Sequence, residues 1–113
     1  MLFFYVPLDH AERVKQALFD LGVGKLGHYD CCAWQSEGMG QFRGLEGSHA
    51  FVGKKGEIHR EKEVKVEMFC ESRLMPQALE LLVKVHPYEE PAYYVLPVGG
   101  ELSPSSLADK PRK

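Results

Sequence analysis

Three patterns in this 113-residue sequence predict an α+β fold of the ferredoxin-like, split βαβ type: a four-stranded antiparallel sheet, two helices on one face, and a long glycine-rich hairpin. Two similar halves are visible, each pairing strand-like runs with one amphipathic helical run. The middle of the chain alternates apolar and charged residues with a period of two. The element order strand, helix, strand, strand, helix, strand places both helices on the same side of the sheet.

Each element follows from local pattern. Leu2-Phe3-Phe4-Tyr5-Val6 is a strand closed by Pro7, which has no N–H to donate. Asp9 offers a helix N-cap with Glu12 three residues on, and Ala11, Val14, Ala17, Leu18 and Leu21 recur at helical spacing until Gly22 supplies a C-terminal stop. Tyr29 to Gln35, rich in aromatic and small apolar residues, is expected as the second strand. Val64, Val66, Met68 and Cys70 alternate with Lys65, Glu67, Phe69 and Glu71 and give the third, joined to the second by a long excursion. Pro76 suits the first turn of a second helix, with Met75, Leu79, Leu82, Val83 and His86 on one face. Ala92 to Val98 is the fourth strand. The expected core is Val14, Leu18, Leu21, Leu79, Leu82, Val83, Val64, Val66 and Met68.

Composition bounds the class. One domain is expected over residues 1–98, and Gly99 to Lys113, rich in Ser, Pro, Gly and Lys, is expected as a disordered tail. With 44% hydrophobic and 27% charged residues the chain has the composition of a soluble globular domain. A net charge of -2 and a pI near 6.2 argue against a nucleic-acid surface. Lys54, Lys55, Arg60, Lys62 and Lys65 are interleaved with Glu57, Glu61, Glu63 and Glu67, which makes that segment a solvated charged face. Neither a signal peptide nor a long apolar span is visible, so the expectation is a cytoplasmic protein without a membrane partner. Three cysteines, two of them adjacent at Cys31 and Cys32, fit neither a disulfide framework nor a zinc knuckle. In a strand the adjacent pair would face opposite ways and act as small buried hydrophobes.

Two further features bear on function. Leu2 to Val6 and Ala92 to Leu96 are apolar on both faces, whereas a sheet with one wet face should alternate. The second face is therefore expected to be buried against other copies of the chain, as a homo-oligomer, with a trimer favoured. The other feature is the run His86-Pro87-Tyr88-Glu89-Glu90-Pro91 at the junction of the second helix and last strand. Pro87 stops the helix and Pro91 holds Glu90 extended, so His86, Glu89 and Glu90 are presented from a rigid elbow. Such an elbow suits a divalent metal, where imidazole and carboxylate favour zinc or copper, and it equally suits a specific structural corner. The glycines at 22, 24, 27, 38, 40, 44, 47, 53 and 56 precede no helix in the manner of a phosphate cradle, and read as turn and bulge glycines of a long ordered hairpin.

The glycine spacing and the elbow together carry a resemblance. Gly22-Val23-Gly24-Lys25-Leu26-Gly27-His28-Tyr29, Cys32-Ala33-Trp34, Glu37-Gly38-Met39-Gly40-Gln41-Phe42, Leu45-Glu46-Gly47, Val52-Gly53 and Gly56 resemble the inserted middle domain of the Nif-three-like proteins. His86-Pro87-Tyr88-Glu89 with Pro91 also resembles CutA, the divalent-cation-tolerance protein. The resemblance spans residues 2 to 98 and implies a CutA/PII-like ferredoxin fold that commonly trimerises. It also implies that the dinuclear metal ligands of Nif-three-like proteins lie in a flanking domain, so no dinuclear site transfers to these residues.

Two readings of function follow. One is a non-enzymatic oligomeric regulatory or binding module, with a divalent metal or small ligand at the elbow and hairpin and no catalytic residues. The other is a metal-dependent hydrolase-like enzyme using His86 as base with Glu89 or Glu90 orienting it. His10, His28, His49 and His59 are scattered and read as surface histidines.

Overall fold

The computed structural model describes residues 1–49 and 53–99, so beyond Gly99 the expected disordered tail lies outside the described residues. The elements are β1 (Leu2–Pro7), α1 (Ala11–Leu21), β2 (Trp34–Arg43), β3 (Ile58–Met68), α2 (Met75–Val85) and β4 (Tyr93–Val95). One four-stranded antiparallel sheet has the order β2-β3-β1-β4, which is the ferredoxin-like arrangement that the element order predicts.

The core forms where three periodicities converge. Leu2, Phe4 and Val6 of β1, Val64, Val66 and Met68 of β3, Val14 and Leu18 of α1, and Ala78 and Leu82 of α2 are all buried in one cluster. In the β1–β3 register Leu2 faces Met68, Phe4 faces Val66 and Val6 faces Val64, so one side of the sheet is continuously apolar beneath the helices. Leu21 and Leu79 pack at its margin. Val83 departs from expectation at 44% exposure. The helix seats its Ala78 and Leu82 ridge on the sheet, and Val83, one residue on, is turned about 100° away.

Element boundaries moved in four places, each for a local reason. A 3-10 turn at Leu8–His10 leads into α1, putting His10 rather than Asp9 at the N-cap, with no side-chain cap. At the other end Gly22 adopts φ 114°, and its N–H reaches the carbonyls of Leu18 and Phe19, the stop that its position predicts. β2 runs from Trp34 to Arg43 instead of Tyr29 to Gln35. Leu26 and Tyr29 exchange backbone hydrogen bonds in a turn, and Cys31 has φ 55°, which no strand continues through. The adjacent cysteines are therefore in a loop, with Cys31 exposed and Cys32 half-buried, not the buried strand pair expected.

β3 starts at Ile58, absorbing the charged segment that reads as a solvated face. β1 pairs with β3 only from Glu63 to Met68, so Ile58 to Lys62 and their β2 partners extend beyond the sheet as a two-stranded ribbon. Gly38 and Gly40 lie inside β2 and are absent from the positive-φ glycines, so they are strand residues and not turn formers. β4 is short, only Tyr93–Val95, although flanking bonds from Tyr5 N–H to Ala92 and from Leu96 N–H to Met1 continue its pairing. Among the described residues no helix is long and apolar enough to cross a membrane.

Candidate functional site

The elbow is tied to one residue at both ends. α2 ends at Val85, and His86 turns extended (ψ 139°), as a residue before proline must. Its ring is almost fully buried, 6% exposed, and Nε2 lies 2.6 Å from the carbonyl oxygen of Tyr5. Six residues later the Ala92 carbonyl accepts the Tyr5 N–H at 3.1 Å. Both backbone groups of Tyr5 thus clip the loop from His86 to Ala92 against β1.

The second nitrogen of His86 is also engaged. Nδ1 accepts the Tyr88 N–H at 3.0 Å, so the ring is the neutral tautomer that donates from Nε2 and accepts at Nδ1. Burial lowers its pKa from 6.5, opposed by the bond to Tyr5 and reinforced by the nearby His10 and Arg13.

Tyr88 carries the elbow across to the ribbon. Its hydroxyl donates to Glu63 Oε2 at 2.8 Å, and its ring meets Phe42 edge-on with centroids 5.5 Å apart. Burial, with the Glu63 carboxylate as acceptor, pushes the phenol well above the usual range. Glu63 lies flat against β2 because residue 40 is glycine: a Cβ there would overlap both carboxylate oxygens and Cδ of Glu63. Glu89 accepts the backbone N–H of His49 at 3.1 Å, drawing the far loop of the hairpin to the elbow.

Between these two arms lies a cleft of about 930 Å3, walled by the rings of Tyr5, Phe42 and Tyr88 and by the carboxylates of Glu63, Glu89 and Glu90, with Arg43 also at its lining. Its size and mixed aromatic and polar walls are those of a small-molecule site.

Of the sequence-predicted site residues, Glu89 and Glu90 line the cleft, whereas His86 lies behind Tyr88 as its support. The three do not converge: among the described residues no group of three or more His, Cys, Asp or Glu side chains is close enough to hold a metal ion. While His86 keeps its bonds to Tyr5 and Tyr88, neither ring nitrogen has a lone pair to offer one. In one chain this arrangement does not fit a His86, Glu89 and Glu90 metal centre. Sequence reasoning missed Tyr5, Gly40, Phe42, Glu63 and Tyr88 as site residues. Tyr88 sat in view between the two prolines, but Glu63 was indistinguishable from the charges around it.

A sheet of this order with two helices on one face and an overhanging β2–β3 ribbon defines a CutA/PII-like ferredoxin fold. CutA1 from Shewanella sp. SIB1 shares that fold at a TM-score of 0.66 and 20% identity, over 95% of this chain and 87% of its own. The chain is homologous to the NIF3-like, or GTP cyclohydrolase 1 type 2 homolog, proteins. It is 39% identical over 94 residues to the GTP cyclohydrolase 1 type 2 homolog of Bacillus subtilis (strain 168), covering 83% of this chain and 25% of the relative. A crystal structure of a Bacillus cereus protein related to NIF3 matches at a TM-score of 0.74 and 37% identity, over 88% of this chain and 25% of that one. The chain thus spans about a quarter of the length of the NIF3-like relatives it matches. No protein-family model matches it.

Proposed function

We propose that this chain is a non-enzymatic, oligomeric regulatory or binding module whose ligand occupies the cleft between the elbow and the β2–β3 ribbon. The observation that carries the reading is the double anchoring of that cleft. Tyr5 fixes the elbow at His86 and Ala92, and Glu89 and Tyr88 tie the elbow to the hairpin at His49 and Glu63. Anchored walls around about 930 Å3 are preorganised for a ligand, which lowers the ordering cost of binding.

The hydrolase alternative is less well supported. A general base needs a free lone pair within reach of substrate, and His86 spends both nitrogens on Tyr5 and Tyr88 behind the cleft wall. The GTP cyclohydrolase 1 type 2 homologs are relatives of which this chain spans a quarter, and no feature of the cleft favours that chemistry. A CutA of the same fold from Archaeoglobus fulgidus is a divalent cation tolerance protein, so zinc and copper are the competing occupants to test.

Assembly belongs to the same proposal. The sheet face away from the helices carries Phe3 stacked on Tyr94 at 4.8 Å, with the Lys65 ammonium 5.1 Å from the Phe3 ring centre and Trp34 68% exposed. An aromatic face of this kind suits burial against further copies, with a trimer as the favoured state; Tyr5, Phe42 and Glu63 stand on the same face, so in that assembly the cleft lies at the boundary between subunits. Cytoplasmic residence is also proposed, in keeping with three free cysteines.

The test is calorimetric titration of the purified chain with zinc, copper and a panel of small ligands, repeated on Gly40→Leu, which fills the cleft from β2. A small ligand that binds wild type and is lost in Gly40→Leu supports the cleft. Zinc or copper binding that survives Gly40→Leu and vanishes in His86→Ala would replace the reading with a metal centre at the elbow.

A further inference from the structure

The charges that interleave along β3 separate once the strand forms. Successive side chains alternate between faces, so Arg60 and Lys62 share the side of Val64, Val66 and Met68, while Glu61, Glu63 and Glu67 share the opposite side with Lys65. Beyond the sheet the ribbon therefore has two unlike surfaces. One carries Arg60 and Lys62 beside their β2 partners Gln41 and Met39, all four of them exposed. The other turns Glu63 and Phe42 toward Tyr88 in the elbow of its own chain.

The basic surface has no counterpart within its own chain. Among the described residues the ion pairs are Lys15 with Glu12, His59 with Glu61 and Arg73 with Glu71, which leaves Arg60 and Lys62 unpaired. Both lie on the side of the ribbon turned away from the cleft that Phe42 and Glu63 line. The rim of that cleft carries the exposed carboxylates of Glu46, Glu89 and Glu90; Glu89 accepts the His49 N–H, and Glu46 and Glu90 are in no ion pair among the described residues.

Reach is the second observation. Ile58 to Lys62 pair with β2 but not with β1, so the ribbon projects about 16 Å past the sheet at the usual strand rise. A basic arm that overhangs its own sheet, and an acidic rim that the arm of the same chain faces away from, are complementary halves of a contact between copies.

We propose, on the reading that the chain assembles with copies of itself, that it does so head to tail: the basic face of one ribbon lies across the elbow of the next chain, and its Arg60 and Lys62 close the acidic rim of that chain's cleft. The two patches are different surfaces, so each chain gives one arm and receives one. Contacts of this kind close as a ring, as a trimer requires, whereas a symmetric pair would join like patches. The cleft is incomplete in a single chain, because its cationic wall comes from the neighbour.

Charge reversal with light scattering at micromolar concentration tests this. Arg60→Glu/Lys62→Glu alters only the arm, and Glu46→Lys/Glu90→Lys alters only the rim while keeping the bond of Glu89 to His49. Each is expected to shift the assembled mass to that of a monomer, and the chain carrying all four substitutions is expected to assemble again, because its arm and rim are complementary with the signs exchanged. Circular dichroism checks folding. Carbodiimide coupling of a mixture of isotopically light and heavy wild-type chains reads the same contact without substitution, and is expected to join Lys62 of one chain to Glu46, Glu89 or Glu90 of another. An assembled wild type that neither reversal disturbs, reversals that the fourfold variant does not rescue, or coupling of Lys62 to the rim only within one chain would overturn the head-to-tail contact and leave assembly standing. A monomeric wild type would overturn both.

Discussion

His86 Nε2 sits 2.6 Å from the carbonyl oxygen of Tyr5, eighty-one residues away in sequence, and this bond joins the end of the second helix to the first strand. It explains why a histidine closes the apolar face of that helix. The imidazole is large enough to extend the stripe, and its two nitrogens satisfy one carbonyl and one N–H that the elbow would otherwise leave buried without partners. The residue acts as a hinge pin for the site.

His86→Ala removes that pin. Stability should fall by about 1–3 kcal/mol, from lost packing and from the unpaired Tyr5 carbonyl and Tyr88 N–H. Urea denaturation of wild type and variant reads this directly. Zinc and copper isotherms are expected to coincide in the two proteins.

The same pin makes stability depend on pH in a defined sense. Burial lowers the His86 pKa below 6.5, so the unfolded chain takes up a proton where the folded one resists it. Stability from this residue is therefore complete above about pH 6.5 and is lost as pH falls below it toward the folded-state value. Denaturation midpoints at pH 7.5 and 5.5 should differ more for wild type than for His86→Gln, which has no proton to gain; equal differences would remove His86 as the cause.

Much of the fold was legible because the core residues recur at helix or strand period: Val14 and Leu18, Val64, Val66 and Met68, and the Pro76 and Gly22 boundaries all follow from local pattern. Val83 was misplaced because periodicity gives a stripe but not the angle at which the helix rolls on the sheet. The true extent of β2 and β3 was hidden for a different reason. A two-stranded ribbon that overhangs its sheet has no buried face to impose alternation, so Met39 to Arg43 and Ile58 to Lys62 read as loop and charge. The elbow was legible through its prolines, but its partners were not. Glu63 and Gly40 are coupled across strands twenty-three positions apart, and no single-chain pattern marks that pair.

Gly40 gives the next test. Adding a methyl group at Gly40→Ala forces the Glu63 carboxylate off the β2 backbone, and the Tyr88 hydroxyl loses its acceptor or moves with it. The carboxylate is the mobile end of its side chain, so the expected cost is that of one lost hydrogen bond, about 0.5–1.5 kcal/mol. Gly38→Ala is the control, because a Cβ at Gly38 meets nothing within 4 Å and should cost less than half as much. Equal losses would mean that strand geometry, not the carboxylate, sets the requirement.

The open face of the sheet yields an assembly prediction. Light scattering at micromolar concentration should report a trimer for wild type, and Trp34→Glu, which places charge on the exposed indole position, should shift it toward monomer without unfolding it. A monomeric wild type would end the argument from Phe3, Trp34 and Tyr94.

Backbone amide NMR of the labelled chain, with each member of the calorimetric panel that binds added stepwise, tests the central claim most directly, because it reports where a ligand sits. The expected result is saturable shifts concentrated at Gly40, Phe42, Glu63, Tyr88 and Glu89, with the loop of Cys31 and Cys32 and the outer face of the second helix around Val83 unmoved. Shifts centred on the helix side of the molecule, around Leu79 and Val83, or none at saturating ligand, would contradict the cleft as the binding site.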